Sequence, residues 1–306
     1  MLTSFFSKSK PLNLSLIILL MIGFYLSATF FSLKGLGFST ILELTGVLLA
    51  LILNVLVLNF IAKKNELTKR SAYKTLLFTI FCVSFFSLLK NGPAIIANLF
   101  VLLALRRIIS LRTRKFIQQK IFDATFWIGI ASLYYFWASL FFIIVFFAIL
   151  SFAAYFKNWL VPFVAFLAVV SLTTCFHLLV NDQFYTFSDW FQASNFDFSE
   201  YRNFRLLIPL SILLALLLWT LINYFSALQK ASVTRRPVLS LILLYLLVAG
   251  AVAVLAPTKN GSELIFFFVP FSIIASNYFE GKKEKLFKEI LLTVLILMPF
   301  VLAFLA

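Results

Sequence analysis

Apolar residues in this chain come in long unbroken runs, not in alternation. A helix needs about 17 to 25 such residues to cross a bilayer. On that criterion the sequence predicts eleven spans, at 13–33, 41–62, 72–89, 93–109, 121–136, 138–156, 160–180, 205–226, 238–256, 264–279 and 289–306. Short polar or basic stretches separate them. No run alternates with a period of two, which excludes a transmembrane β-barrel. The predicted fold is all-α: a polytopic transmembrane helical bundle forming one integral-membrane domain over residues 1–306.

Residues 121–156 decide the parity of the count. They carry no charge after Asp123. As one helix they would reach about 54 Å, against a hydrocarbon core of about 30 Å. Two short helices fit better, turning near Tyr134, Tyr135 and Trp137, whose rings suit the membrane interface. Charge supports the hairpin. With it, 21 of the 26 Lys and Arg residues fall on one side and 5 on the other; without it the division is 16 to 10. Positive charge marks the inner side, so the N-terminus is expected inside and the C-terminus outside. Lys8 and Lys10 precede an apolar run of about 20 residues, longer than a signal-peptide core. An uncleaved signal anchor is expected there.

Composition excludes the soluble alternatives. Hydrophobic residues make up 63% and charged residues 12% of the chain, and mean hydropathy is +1.05. A soluble domain carries roughly 25% charge and could not hide this much apolar surface. Soluble enzymes, disordered chains, disulfide scaffolds and nucleic-acid-binding domains are therefore excluded. The net charge of +15 reads as topology, because the basic residues cluster between the runs. Cys82 and Cys175 both lie inside apolar runs and are expected to be small buried hydrophobes, not a disulfide or a metal site.

Candidate chemistry is sparse. With one histidine, His177, a four-histidine iron site is impossible. No Walker A, GxGxxG, HExxH or paired CxxC pattern occurs. Neither a metal nor a cofactor is expected. Within the spans, Glu43 and Asp123 each sit near an end, and no series of acids crosses the midplane, as proton-driven transport would usually need. Asn54, Asn98 and Asn223 suit hydrogen bonding between helices. The densest basic stretch, 105–121, and the other inner clusters would attract anionic lipid headgroups.

The segment 181–204 is the longest outside the membrane, and acids alternate with aromatics along it. A helix from about Ser188 would lay Phe184, Trp190, Phe191 and Phe198 along the membrane surface. Aromatic faces with carboxylates also suit a sugar, whose apolar faces stack while its hydroxyls hydrogen-bond. On that reading Asp182, Asp189 and Trp190 are candidate substrate ligands, and Arg202 and Arg205 could hold a phosphate. The same aromatics could equally anchor an ordinary loop at the headgroups.

The layout resembles that of GT-C-type polyprenyl-phosphate glycosyltransferases: many spans, short basic inner loops, and a tight hairpin like Phe126–Tyr135. The resemblance implies a catalytic acid in the first outer loop, Leu33–Glu43, where Glu43 is the only acid. The chain also resembles uncharacterised Phe-rich polytopic proteins of flavobacterial type, with 40 Phe residues. That texture implies a multi-pass protein of the bacterial inner (cytoplasmic) membrane.

Three functions follow as expectations. The first is envelope biogenesis on a polyprenyl-phosphate-linked glycan or lipid at the outer face, with Glu43 as acid or base. The second is a non-catalytic membrane subunit of an envelope secretion or assembly complex. The third is a small-molecule or lipid transporter. Expected partners are membrane lipids, among them polyprenyl phosphate, and membrane protein partners; nucleic acid is not expected.

Overall fold

The computed structural model describes residues 2–29, 37–233, 235–281 and 284–304. The expected span end at 30–33, Lys34 with its loop, Lys282, Lys283 and residues 305–306 lie outside them. Among the described residues the secondary structure is helical, without a strand. In chain order come α1 (Leu2–Phe6), α2 (Pro11–Thr29), α3 (Phe38–Lys64), α4 (Tyr73–Val83), α5 (Phe86–Lys90), α6 (Gly92–Ser110) and α7 (Ile117–Tyr134). They are followed by α8 (Phe142–Phe152), α9 (Phe156–Asn181), α10 (Phe187–Trp190), α11 (Phe204–Gln229), α12 (Arg236–Leu255), α13 (Ile265–Phe279) and α14 (Lys285–Phe304). Eight of these helical stretches are long and apolar enough to cross a membrane.

Three expected spans take a different form. The span at 72–89 is a broken helix. It stops after Val83, where the Ser84 hydroxyl bonds back to the Ile80 carbonyl at 2.7 Å, and Phe85 is extended at φ −117°, ψ 93° before α5 resumes. The span at 121–136 begins earlier, as α7, and carries Lys120 and Asp123 in its first turns; Asp123 pairs with Arg107 of α6 at 3.0 Å. The span at 138–156 starts as a 3-10 turn over Phe136–Phe141 and then becomes the 11-residue α8. The expected hairpin turn is present. Tyr135 is extended at φ −145°, ψ 100°, while its N–H still closes the last turn of α7 on the Ala131 carbonyl at 3.0 Å.

Two helices are buried almost all round, α4 and α13, and they pack against each other. Phe81 of α4 stacks on Phe271 of α13 at 4.5 Å and 15°, with Phe85 and Phe268 beside them. An aromatic seam suits this contact, because flat offset rings fill the space between helices closely. Helices α11 and α12 flank α13, whereas α9 rests mainly on α7 and leaves most of its surface uncovered. Cys82 lies in the buried seam, but Cys175 is exposed on α9. Its expected burial fails because the apolar run containing it faces outward.

Small and polar residues bring the other helices together, as they do where lipid supplies no hydrophobic drive. A side chain on Gly92 would meet Val47 at 2.8 Å, and one on Gly129 would meet Val169 at 2.8 Å. Asn98 donates to Asn54 Oδ1 at 2.8 Å, and Asn54 in turn donates to Ala50 and to Ile95 of α6. Both asparagines are wholly buried, which fulfils their expected role as glue between helices. Asn223 does not share it: it is exposed, and its side-chain amide bonds to Trp219 of its own helix.

The segments between helices gather at two ends. At one end, the backbone of residues 6–9 bonds to residues 70–72, Asn277 bonds to Leu67, and Arg235 to Glu66. Lys64 and Arg106 both lie over the Phe60 ring there. At the other, Asn91 bonds to Ser262, Trp190 to Ser132 and Tyr201 to Glu263. We call these the basic end and the far end. Asn98→Ala should lower stability by about 1–2 kcal/mol, since it strips a buried amide of its partner. Thermal unfolding in a fixed detergent measures this; an unchanged melting point would assign the α3–α6 contact to packing alone.

Candidate functional site

The segment 181–204 is a strap across the far end, not a surface helix. Its helix is the single turn α10, closed by a capping box. Thr186 N–H and Oγ1 both donate to Asp189 Oδ2 at 2.8 Å. After it the chain is extended, then turns through Asn195 and Asp197 into a 3-10 turn over Ser199–Arg202. The carboxylate acceptors at Asp189 and Asp197 favour these local turns over a continuing helix. Trp190 docks inward: its Nε1 donates to the Ser132 carbonyl at 3.0 Å, and its ring meets Phe136 and Phe166. Phe184 and Phe198 stay exposed, so the expected row of four aromatics on one helix does not form.

Beneath the strap lies a buried charged cluster. The turn Lys259-Asn260-Gly261 directs the chain inward, and Gly261 adopts φ +89°, a left-handed conformation that suits glycine. A side chain there would also meet Phe85 at 2.7 Å. The following 3-10 turn over Ser262–Leu264 places Glu263 at 0% exposure. Tyr201 of the strap donates to Glu263 Oε1 at 2.5 Å. Among the described residues Glu263 Oε2 has no hydrogen-bond partner, and neither does the buried Tyr135 hydroxyl. Tyr135 and Glu263 lie within electrostatic reach of each other.

Lys259, 3% exposed, donates from Nζ to the Ala253 and Val254 carbonyls at 2.7 and 2.6 Å. Those carbonyls end α12, where the helix dipole favours a cation. Its ammonium also lies over the Phe198 ring at 5.0 Å. Burial draws the Lys259 pKa below its usual value, and the Glu263 charge pulls it back up. Burial, then the Glu263 charge, pushes the Tyr201 pKa far up, so its hydroxyl stays a donor. A second polar chain supports the turn: Asn91 donates to Ser262 Oγ, which donates to Asn260 Oδ1 at 2.7 Å. The result is an acid with one open oxygen, a hydroxyl facing it and a cation nearby. Such a group can take a proton from a hydroxyl or accept its hydrogen bond.

The residues singled out from sequence are dispersed. Glu43 is exposed in the second turn of α3, with no hydrogen bond or ion pair to the strap among the described residues. Asp182 ends α9 in a left-handed conformation at φ 53°, exposed. Arg202 and Arg205 are exposed on either side of the Asn203 cap of α11, close in sequence to Tyr201. His177 borders a separate groove of about 420 Å³ between α7 and α9, where its ring lies 4.7 Å from that of Tyr185. No group of three or more metal-ligating side chains occurs among the described residues.

Glu263, Lys259 and Tyr201 were all visible in the sequence, as an outer acid, a turn cation and a strap aromatic. Their union was not, because 62 positions separate Tyr201 from Glu263. The hint available was an acid set directly after a glycine turn, at the start of an apolar run.

The profile of a family of unknown function, DUF6427, matches residues 4–305. The chain belongs to this family. Membership agrees with the resemblance to uncharacterised polytopic proteins. No curated protein and no solved structure matches the chain.

Two expectations follow from the site geometry. Tyr201→Phe should cost about 1.5–3 kcal/mol, the range for a hydrogen bond to a charged group. Glu263→Gln and the double variant complete a mutant cycle, and a coupling energy near zero in thermal unfolding would dissolve the pair. The Thr186 backbone bond, with its hydroxyl, holds the Asp189 carboxyl below its usual range. The cap's contribution is therefore present above the ordinary Asp value and lost as pH falls through the depressed one. Protection of the amides at residues 187–191, measured as exchange relative to the intrinsic rate at each pH, should fall only there; loss of protection already at neutral pH would contradict it.

Proposed function

We propose that this is an eleven-span protein of the bacterial inner membrane, N-terminus inside and C-terminus outside, that acts in envelope biogenesis. Its far end faces outward and handles a polyprenyl-phosphate-linked glycan or lipid. The observation that carries the reading is Glu263, a fully buried acid with an unpartnered oxygen under the strap. Unpaired ionisable groups inside a membrane protein are costly and mark function. The gathering of residues 84–92, 134–137, 181–206 and 256–263 at one end, opposite the basic loops, supports the eleven crossings.

In this reading Glu263 Oε2 takes the proton of an acceptor hydroxyl as that oxygen bonds to the sugar carbon. The bond from that carbon to the phosphate oxygen breaks, and Arg202 and Arg205 stabilise the departing phosphate. The turn over Ser199–Arg202 must lift for the substrate to reach the carboxylate. Glu263 is the better-placed acid than Glu43, because burial raises its cost and so its purpose, whereas Glu43 is solvated.

A transport reading draws on a different observation. The two most buried helices are irregular: α4 breaks at Ser84–Phe85 next to the Gly261 turn, and α13 contains Pro270. Broken helices often line transport sites.

Native mass spectrometry of the wild-type protein in mild detergent should show a bound polyprenyl-phosphate species. In cells lacking the wild-type gene, Glu263→Gln should accumulate the lipid-linked precursor, and Glu43→Gln should not. Accumulation with Glu43→Gln alone would move the acid to Glu43. No bound lipid, with normal envelope glycan in both variants, would refute the enzyme reading.

A further inference from the structure

The basic end holds a cavity that the topology of the chain does not require. It has a volume of about 830 Å³ and is lined by Lys63, Lys64, Lys69, Arg70 and Arg235, with Phe60 on one wall. We propose that it is a binding site for a phosphate group, carried by an anionic phospholipid or by a soluble phosphate compound.

The first support is the rigidity of the frame. The loop between α3 and α4 leaves the helix through a left-handed Glu66 at φ 52°, with Leu67 N–H bonded back to the Ala62 carbonyl at 3.1 Å. This is a common way to close a helix end. The loop is then tied to three other segments: the turn before α12, the end of α13 and the N-terminal stretch. Arg235 donates to the Glu66 carbonyl at 2.7 Å and Asn277 to the Leu67 carbonyl at 3.3 Å. Lys69 N–H donates to Glu280 at 2.7 Å, Ser9 N–H to the Arg70 carbonyl and Ala72 N–H to the Phe6 carbonyl, both at 3.0 Å. A topology signal needs only the number of basic residues on one side. It does not need them fixed around a concave space by bonds to three other segments.

The second support is charge. Two carboxylates line the cavity, Glu66 and Glu280, against the five cations. Glu280 is engaged by Lys69 N–H and the Ser71 hydroxyl. None of the five cations forms an ion pair among the described residues, where Arg107–Asp123 is the ion pair present. The Lys63 and Arg70 side chains have no hydrogen-bond partner there either. Guanidinium groups offer paired donors that match phosphate oxygens, and ammonium groups add point charge. Phe60 supplies an apolar wall at the last turn of a membrane helix, where a lipid headgroup meets its glycerol.

The test uses the full-length protein in mild detergent, with two probes. One is detergent-solubilised phosphatidylglycerol against phosphatidylcholine, followed as retained lipid by native mass spectrometry. The other is inorganic phosphate at millimolar concentration, followed by thermal shift. The double variant Lys63→Gln, Arg70→Gln removes two cations that bear none of the loop's bonds, and should weaken binding by at least about tenfold. Lys90→Gln, Lys157→Gln removes equal charge from exposed positions outside the cavity and outside the basic clusters, and should leave binding unchanged. Selective retention of phosphatidylglycerol without a phosphate shift assigns the site to lipid. A phosphate shift that the cavity variant abolishes assigns it to a soluble compound. Equal losses in both variants, or binding of neither probe, would overturn the proposal. Thermal unfolding without ligand checks that the variants fold as the wild type does.

Discussion

A bilayer offers no water to an exposed peptide group, so the backbone must satisfy itself wherever it lies in hydrocarbon. That constraint explains why the described chain is helical and why its irregular pieces are where they are. The breaks at Ser84–Phe85 and at Tyr135 lie inside apolar sequence, but neither faces lipid: Ser84, Phe85 and Tyr135 are all buried within the protein. Each also keeps its bonds. Phe85 N–H reaches the Cys82 carbonyl at 3.3 Å and Tyr135 N–H the Ala131 carbonyl. Interrupted helices are tolerable here only because neighbours cover them: α13, α2 and α3 around α4, and α12 and α6 beside the turn after Tyr135.

The same constraint gives the two ends different characters. At the basic end, side chains and backbone are spent on holding loops together, with Lys74, Lys288 and Arg235 donating to backbone carbonyls. At the far end the reverse holds. The loops are pinned by a few bonds, while charged and hydroxyl groups are drawn into the protein interior. Burying Glu263 with an open oxygen is expensive, and the Tyr201 bond and the nearby Lys259 offset only part of that cost. A stabilising design would have placed an apolar residue there. Among the described residues Glu263 is the buried carboxylate that keeps an oxygen without a hydrogen-bond partner.

Helix-to-helix specificity follows a related logic. Lipid tails are as apolar as the helix faces, so leucine-rich surfaces do not choose partners. The choice falls to glycines that admit a neighbour, to the Asn54–Asn98 bond and to the Phe81–Phe271 seam. Helix α9, which has few such features beyond its Gly129 contact, is the least enclosed of the long helices.

The sequence by itself determined that the chain is helical throughout its apolar runs and that it turns near Tyr135, and it offered three asparagines as glue, of which two serve. Transfer into hydrocarbon is a nearly additive property of local composition, and helix length is set by bilayer thickness, so runs and charges suffice. The break in α4, the outward facing of Cys175 and the strap's extended course were not legible, because neighbours decide them. The same is true of Glu263 with Tyr201, and of Glu280 with Lys69, which are 211 positions apart. Whether an acid is solvated or buried depends on which distant segment covers it, and only the tertiary structure supplies that cover.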